Sequence, residues 1–193
     1  MVQLRNDPLA GSGHSHPTKV TAGRMTQILR GVRVQRRGDP VLGIVTGKPE
    51  EVPAFSSSEI PALAGALSQA LATASPHEMV AFYRRYSDAS VSVGVTSGGL
   101  FMEGHQLYFV LANFRNRPSD VMSQAVATEF DPSSDPLMSL KARSFAVRFH
   151  PPGALVSSDF PLVWKYVDPG KFIVVDLDRL PPETELSAST PLR

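Results

Sequence analysis

Cysteine is absent from this chain of 193 residues, and several other features are scarce. Without cysteine the protein has no disulfide bond, no thiolate nucleophile and no cysteine-bound zinc. The net charge is only +1, so no overall field draws the protein to nucleic acid or to a membrane. The longest apolar runs, residues 109–112 and 172–175, have the length of strands, and none approaches the roughly 18 residues of a membrane-spanning helix.

The block over residues 55–114 is the most informative part of the chain, because its local signals agree with one another. Apolar residues recur there at helical spacing, which predicts an amphipathic helix that Pro76 ends. Ser56 and Glu59 have the spacing of a capping box at its start. The apolar stripe consists of Ile60, Leu63, Ala64, Leu67, Leu71 and Ala74.

Strands follow this helix at short intervals and predict a β-meander. Val91, Val93 and Val95 alternate with smaller polar residues, as in a strand with one face in water. The sequence Ser97-Gly98-Gly99 predicts a bulge in that strand. The predicted strands are 32–35, 41–46, 79–86, 91–102, 107–114, 145–149, 162–166 and 172–177, with a first helix over 21–30. The fold class is therefore α+β, an antiparallel sheet with one or two helices packed on one face.

Composition divides the chain into three parts. Residues 1–17 are rich in Gly, Ser and His and predict a flexible N-terminal tether. Residues 18–180 have the length and apolar content of a single α+β domain. Residues 181–193 predict a disordered tail. Within the domain, residues 115–143 are mostly polar and predict a long connection with a helical turn near 122–127.

Motifs for phosphate or metal binding do not withstand inspection. Residues 43–48 have three residues between the glycines where a phosphate loop needs four, and Pro49 follows the lysine. His14 and His16 offer two imidazoles without a third fixed ligand, so we expect them to be solvated. We therefore predict no metal site and no cofactor.

A hydrolase is one alternative that the sequence leaves open. No Gly-x-Ser-x-Gly elbow marks a nucleophile, so an active site would have to form without a motif. The version considered pairs His150 with Asp176, which lies in register with buried Val174 on a predicted strand. This version requires the two side chains to meet within hydrogen-bonding reach.

Basic residues are concentrated near the start of the predicted domain. Residues 8–38 contain no acidic residue. The candidate anion-binding residues there are Arg24, Arg30, Arg33, Arg36 and Arg37. Such a patch fits phosphate in a lipid headgroup, in lipopolysaccharide or in nucleic acid. The alternative interpretation is a solvated edge strand whose arginines discourage aggregation.

The layout resembles that of uncharacterised bacterial cell-envelope lipoproteins. The residues that carry the likeness are the short polar start over 11–17, the helix over 56–74 and the strands over 95–114. The resemblance implies a small α+β domain on a polar tether. It implies a periplasmic, membrane-tethered location if the chain was trimmed, whereas a native start at Met1 implies the cytoplasm. The resemblance implies no known activity and no functional residues.

The leading hypothesis is a non-enzymatic binding or assembly module of the bacterial cell envelope. Its partner would be an anionic envelope component or another protein, and exposed sheet edges leave a homodimer open. The alternatives are a hydrolase with a non-motif active site and a cytoplasmic nucleic-acid binder that uses residues 24–37. No catalytic residue is assigned.

Overall fold

The computed structural model describes residues 1–36, 50–87, 93–116, 134–139, 145–159 and 168–183. The two helices of this part are α1 (Ala22–Gly31) and α2 (Ile60–Thr73). The nine strands are β1 (Val2–Asn6), β2 (Val32–Arg36), β3 (Glu51–Pro53), β4 (Glu78–Ser87), β5 (Val93–Glu103), β6 (Gln106–Asn116), β7 (Phe145–Phe149), β8 (Leu155–Val156) and β9 (Phe172–Asp176). Neither helix has the length or the apolar content to cross a membrane.

Six strands form the larger sheet in the order β1-β4-β5-β6-β9-β8, and every neighbouring pair is antiparallel. Its centre is the β4-β5-β6 meander, so the predicted α+β class with an antiparallel sheet is confirmed. A second sheet has the order β3-β2-β7 and is also antiparallel. Several predicted elements lie outside the described residues, namely the strands over 41–46 and 162–166 and the helical turn near 122–127.

Helix α2 begins at Ile60, with Pro61 in its first turn, where the missing N–H of proline costs no hydrogen bond. The predicted capping box does not form, because Glu59 itself is the N-cap residue and makes no side-chain cap. Instead the Ser56 hydroxyl donates to Glu59 Oε2 at 2.7 Å. This contact fixes the Glu59 carboxylate at the start of the helix.

Both helices pack against one face of the larger sheet. The main core cluster joins Met25 and Ile28 of α1, Leu67 and Leu71 of α2, and alternate residues of the strands such as Phe82. The residues between these on the strands point to the opposite face, where they form a second cluster. That cluster consists of Met79, Phe101, Tyr108, Val110, Ala112 and Val174, with Leu137, Val156 and Phe172 packed against it.

The first 17 residues are part of this fold, which corrects the prediction of a flexible tether. Strand β1 pairs with β4 along its whole length, from Val2 opposite Phe82 to Asn6 opposite Glu78. The chain then crosses the end of the sheet, where the N–H of Ser15 donates to the Met102 carbonyl at 2.8 Å. The segment has a composition that is typical of linkers, but backbone hydrogen bonds to distant strands hold it in place.

The prediction of a disordered tail over residues 181–193 can be compared with the structure only at residues 181–183. Arg24 Nη1 and Gln27 Nε2 both donate to the Pro181 carbonyl, at 2.7 and 3.0 Å. Residues 184–193 lie outside the described part of the chain.

Two register shifts interrupt the pairing of β5 with β6 near Ser97 and Gly98, but the extra residues lie in β6 and not in β5, where the bulge was predicted. Val95 is opposite Asn116 and Ser97 is opposite Asn113, so two residues of β6 face Thr96 alone. Gly98 is then opposite Leu111, which leaves Ala112 as a further extra residue. A Cβ atom on Gly98 would lie 2.1 Å from the Val110 carbonyl oxygen, so only glycine allows this close approach. The double bulge turns the end of β6 and sets up the site described next.

Candidate functional site

The predicted arginine patch is only partly assembled in the described residues. Arg24 is engaged with the end of the domain, because its Nη1 donates to the Pro181 carbonyl and its Nε lies 3.8 Å from Glu183 Oε1. Arg30 lies on the exposed side of α1. Arg24 thus has a structural role, in holding residues 181–183 against α1.

The other predicted arginines lie on or beyond β2. Arg33 is half-buried and faces Arg148 of β7 directly across the strand pair. Arg36 is the last residue of β2, and Arg37 lies outside the described residues. Anion binding by this patch stays a prediction, with Arg148 as a neighbour that the sequence pattern did not indicate.

His150 and Asp176 do not form the pair that the hydrolase version requires. His150 Nε2 lies 3.0 Å from Glu51 Oε2 on the second sheet. Asp176 accepts a hydrogen bond from the Asp178 N–H and lies 3.0 Å from Arg179 Nε. Each side chain is therefore engaged by a different partner, and this version of the active site is wrong.

His14 and His16 are buried, which corrects the expectation that they are solvated. His14 Nε2 lies 2.9 Å from Asp7 Oδ2, with 4% and 2% of the two side chains exposed, and the ring stacks on Phe101. His16 donates from Nδ1 to the Glu78 carbonyl at 2.8 Å. The described residues contain no group of three metal-binding side chains.

Burial is also the main reason why the pKa of His16 is lowered, and the neighbouring His14 acts in the same direction. Its hydrogen bond to the Glu78 carbonyl acts against this. The neutral ring fits its surroundings, because Nε2 accepts the Met102 N–H at 3.1 Å and a protonated ring could not. His16 therefore joins β4 to β5 through a neutral imidazole, in the position where the sequence suggested a tether.

Lys171 is fully buried and lies beside a serine. Its Nζ is 2.8 Å from the Ser139 hydroxyl and 3.0 Å from the Ala112 carbonyl, the group that the second bulge releases from the strand ladder. A serine beside a lysine resembles a nucleophile with its base. Here Nζ also lies 4.5 Å from the centre of the Phe145 ring, and Ser139 donates to the same Ala112 carbonyl. We interpret Lys171 as a structural donor, whose amine hydrogen-bonds the Ala112 carbonyl at the bulge.

A cleft opens where the bulged end of β6 meets the segment that leads into α2. Its volume is about 210 Å³. The lining residues are Ala54, Ser56, Glu59, Arg84, Tyr86, Thr96 and Arg115. Arg84 and Thr96 are directly opposite each other on β4 and β5, and Arg115 comes from β6. Three adjacent strands thus direct polar side chains into one cleft.

Arg115 owes its position to an unusual backbone conformation. Its φ is +50°, in the left-handed region that residues other than glycine, asparagine and aspartate rarely adopt. The Thr96 hydroxyl accepts the Arg115 N–H at 3.2 Å and so helps to hold this conformation. Strained residues of this kind are concentrated at functional sites.

The guanidinium of Arg115 lies beside two aromatic rings. Its Cζ lies 5.7 Å from the centre of the Tyr86 ring and 5.2 Å from that of Phe114. Within the described part of the chain no carboxylate lies within ion-pair distance of it. Aromatic rings orient a guanidinium and leave its N–H groups free to bind an anion in the plane of the fork.

Arg84 is the second cation of the cleft and is already paired. Its Nε lies 3.5 Å from Glu59 Oε2, the oxygen that also accepts the Ser56 hydroxyl. The Arg84 side chain is 45% exposed and that of Glu59 is 15% exposed, so solvent screens the pair only in part. Among the described residues, the lining of the cleft therefore has two cations and one anion, and Arg115 is the cation without a carboxylate partner there.

Comparison with protein-family models, curated proteins and solved structures finds no match to this chain.

Proposed function

We propose that this protein is a binding module that holds a small anionic ligand in the cleft between Arg84 and Arg115. The observation that carries the proposal is Arg115, whose guanidinium is oriented by two aromatic rings and has no carboxylate partner in the described residues. An arginine fork matches a carboxylate or phosphate in a bidentate manner, and such charge-assisted bonds are about twice as strong as neutral ones.

The cleft favours binding over catalysis. Neither histidine nor lysine is present among the described residues that line it. The two aliphatic hydroxyls of the lining are engaged, since Ser56 donates to Glu59 and Thr96 accepts the Arg115 N–H. Activation of a hydroxyl for attack needs an adjacent base, and the nearest carboxylate already pairs with Arg84.

We place this binding in the bacterial cell envelope as part of the same proposal. The support is the resemblance to envelope lipoproteins alone, because residues 1–17, which suggested a tether, are packed against the sheet. Fractionation of the cells that make the protein tests the location. Recovery in the envelope fraction supports it, and recovery in the cytosolic fraction removes that part of the proposal while the cleft is unaffected.

An NMR titration tests the ligand-binding part. Sodium propionate, with a single carboxylate, is added at constant ionic strength, and the amide resonances of Thr96 and Arg115 are followed. We expect saturable shifts with a Kd on the order of 1–10 mM, as for a ligand of few atoms.

Two matched variants show whether the shifts report on the cleft. Arg115→Gln removes the free charge, and we expect binding to weaken at least about tenfold, the loss of one charge-assisted pair. Arg30→Gln removes an exposed arginine on α1 and leaves the affinity unchanged. Propionate that binds both variants equally, or causes no saturable shift in the unaltered protein, contradicts the proposal.

A further inference from the structure

The cleft offers a ligand both signs of charge. Glu59 Oε2 receives the Ser56 hydroxyl and lies near Arg84, whereas Oε1 accepts no hydrogen bond from any described residue. The Arg115 guanidinium lines the same cleft and has no carboxylate partner among the described residues. Within this part of the chain, the cleft therefore offers both an acceptor for a cation and a donor for an anion.

The placement of the charges in the cleft, and not their sum, favours a ligand that is more than an anion. The guanidinium groups of Arg84 and Arg115 and the carboxylate of Glu59 sum to one positive charge. A carboxylate alone would bind Arg115 but would be repelled by Glu59, and a phosphate dianion would be repelled more strongly. A ligand that also carries an ammonium turns this repulsion into attraction, and it satisfies Oε1.

The size of the cleft sets a second limit. About 210 Å³ is less than the roughly 300–1,000 Å³ of sites for drug-sized ligands, so a small molecule fits better than a polymer segment. Ala54 and the Tyr86 ring supply the apolar part of the lining, enough for a short aliphatic side chain.

We infer that the ligand is a small zwitterion, an α-amino carboxylate, whose carboxylate binds Arg115 and whose ammonium binds Glu59. This inference rests on the proposed anion-binding function and narrows its ligand class. The bonds are reversible, and no covalent step is involved. Arg84 Nε lies 3.5 Å from Glu59 Oε2, so we assign Oε1 to the ligand's ammonium.

Competition among matched small molecules tests the inference. Alanine, propionate and ethylamine share a small carbon frame and differ in charge. Alanine carries both a carboxylate and an ammonium, propionate only the carboxylate and ethylamine only the ammonium. We expect alanine to bind up to about fivefold more tightly than propionate, the gain from one partly exposed ion pair, and ethylamine to bind more weakly than either. Alanyl-alanine, whose charges are separated by a peptide unit, is expected to bind more weakly than alanine.

Glu59→Gln separates this inference from the proposed function. The amide oxygen still accepts the Ser56 hydroxyl, but the charge is lost and Arg84 is released. We expect alanine to lose its advantage, while propionate binds as well as before or more tightly. Arg115→Gln weakens both ligands, and Arg30→Gln weakens neither.

The outcomes are distinguishable. Equal binding of alanine and propionate, unchanged by Glu59→Gln, overturns the zwitterion and leaves the anion site in place. Tighter binding of alanyl-alanine than of alanine overturns the α-amino carboxylate. Absence of binding by all four compounds overturns the proposed function together with the inference.

Discussion

The backbone N–H of Arg115 donates to the side-chain hydroxyl of Thr96 at 3.2 Å, across a point where two residues of β6 face one residue of β5. At this point a side-chain contact interrupts the ladder and holds Arg115 at a positive φ. The geometry of the cleft depends on this contact, because without the bulge the side chain at position 115 would alternate to another face of the sheet.

The backbone conformation at Arg115 predicts an unusual order of stability among its variants. We expect Arg115→Val to be less stable than Arg115→Gly by about 1 kcal/mol, because a β-branched residue is strained at positive φ and glycine is not. Urea unfolding measures the difference. Arg148 on the exposed side of β7 is the matched control, since valine should be the more stable replacement there. The same order at both positions would contradict the assigned conformation.

Gly98 and Gly65 predict opposite effects of the same substitution. A Cβ on Gly98 would lie 2.1 Å from the Val110 carbonyl oxygen and 2.9 Å from the Phe82 ring, so Gly98→Ala should destabilise by about 1–3 kcal/mol. A Cβ on Gly65, in the interior of α2, meets nothing within 4 Å, and Gly65→Ala should stabilise by about 0.5–1 kcal/mol. Thermal unfolding of both variants is the measurement, and a stable Gly98→Ala would rule out the bulge as described.

Lys171 predicts a large loss of stability when its amine is removed. Lys171→Met keeps most of the apolar stem but leaves the buried Ala112 carbonyl and the Ser139 hydroxyl without this donor. We expect a loss of about 1–3 kcal/mol in the free energy of unfolding. Lys19→Met, at an exposed lysine, is the control and should change little. Unaltered stability of Lys171→Met would show that Nζ is not a structural donor.

His16 predicts a loss of stability in mild acid. Its pKa is lowered in the folded protein by burial, so the unfolded chain binds the proton more readily. The free energy of unfolding should therefore be constant above about pH 6.5 and decrease as the pH falls from there towards the folded pKa. His16→Gln should flatten this decrease, whereas His105→Gln, at an exposed histidine, should not. Urea unfolding at pH 7 and pH 5.5 measures this decrease in the free energy of unfolding. A decrease of the same size in all three proteins would contradict the buried position of His16.

Local patterns predicted the fold where the signal repeats within a few residues. The stripe from Ile60 to Leu71 and the alternation around Val95 each specify one element and the face that it buries. The irregularity near Gly98 was predicted in β5, where serine and adjacent glycines interrupt the pattern of a strand, but the extra residues lie in β6. These features depend on neighbours in the sequence, so a single chain is enough to indicate them.

The start of the chain was not predicted, because its structure comes from distant residues. Gly, Ser and His give residues 11–17 the composition of a linker. They are ordered by the stacking of His14 on Phe101 and by the Met102 N–H that donates to His16. No periodicity in the local sequence indicates such contacts, because they join positions more than 80 residues apart.

The cleft was missed for a related reason. A run of basic residues indicated 24–37 as a candidate site, whereas Arg84 and Arg115 are far apart in the sequence and belong to different strands. The side-chain direction at Arg115 depends on a bulge upstream, and one extra residue reverses the face that each later residue occupies. The available signal was weak, an arginine directly after the apolar strand that ends at Phe114.

The most direct test observes the Arg115 guanidinium itself. The Nε–Hε resonance of Arg115 is assigned by its loss in Arg115→Gln and is followed by NMR as alanine is added. The account predicts a saturable shift of this resonance, of at least the size seen at the Thr96 amide, and no saturable shift at Arg30. A resonance of Arg115 that does not move while alanine binds elsewhere, or that moves equally at Arg30, would contradict the assignment of this cleft as the ligand site.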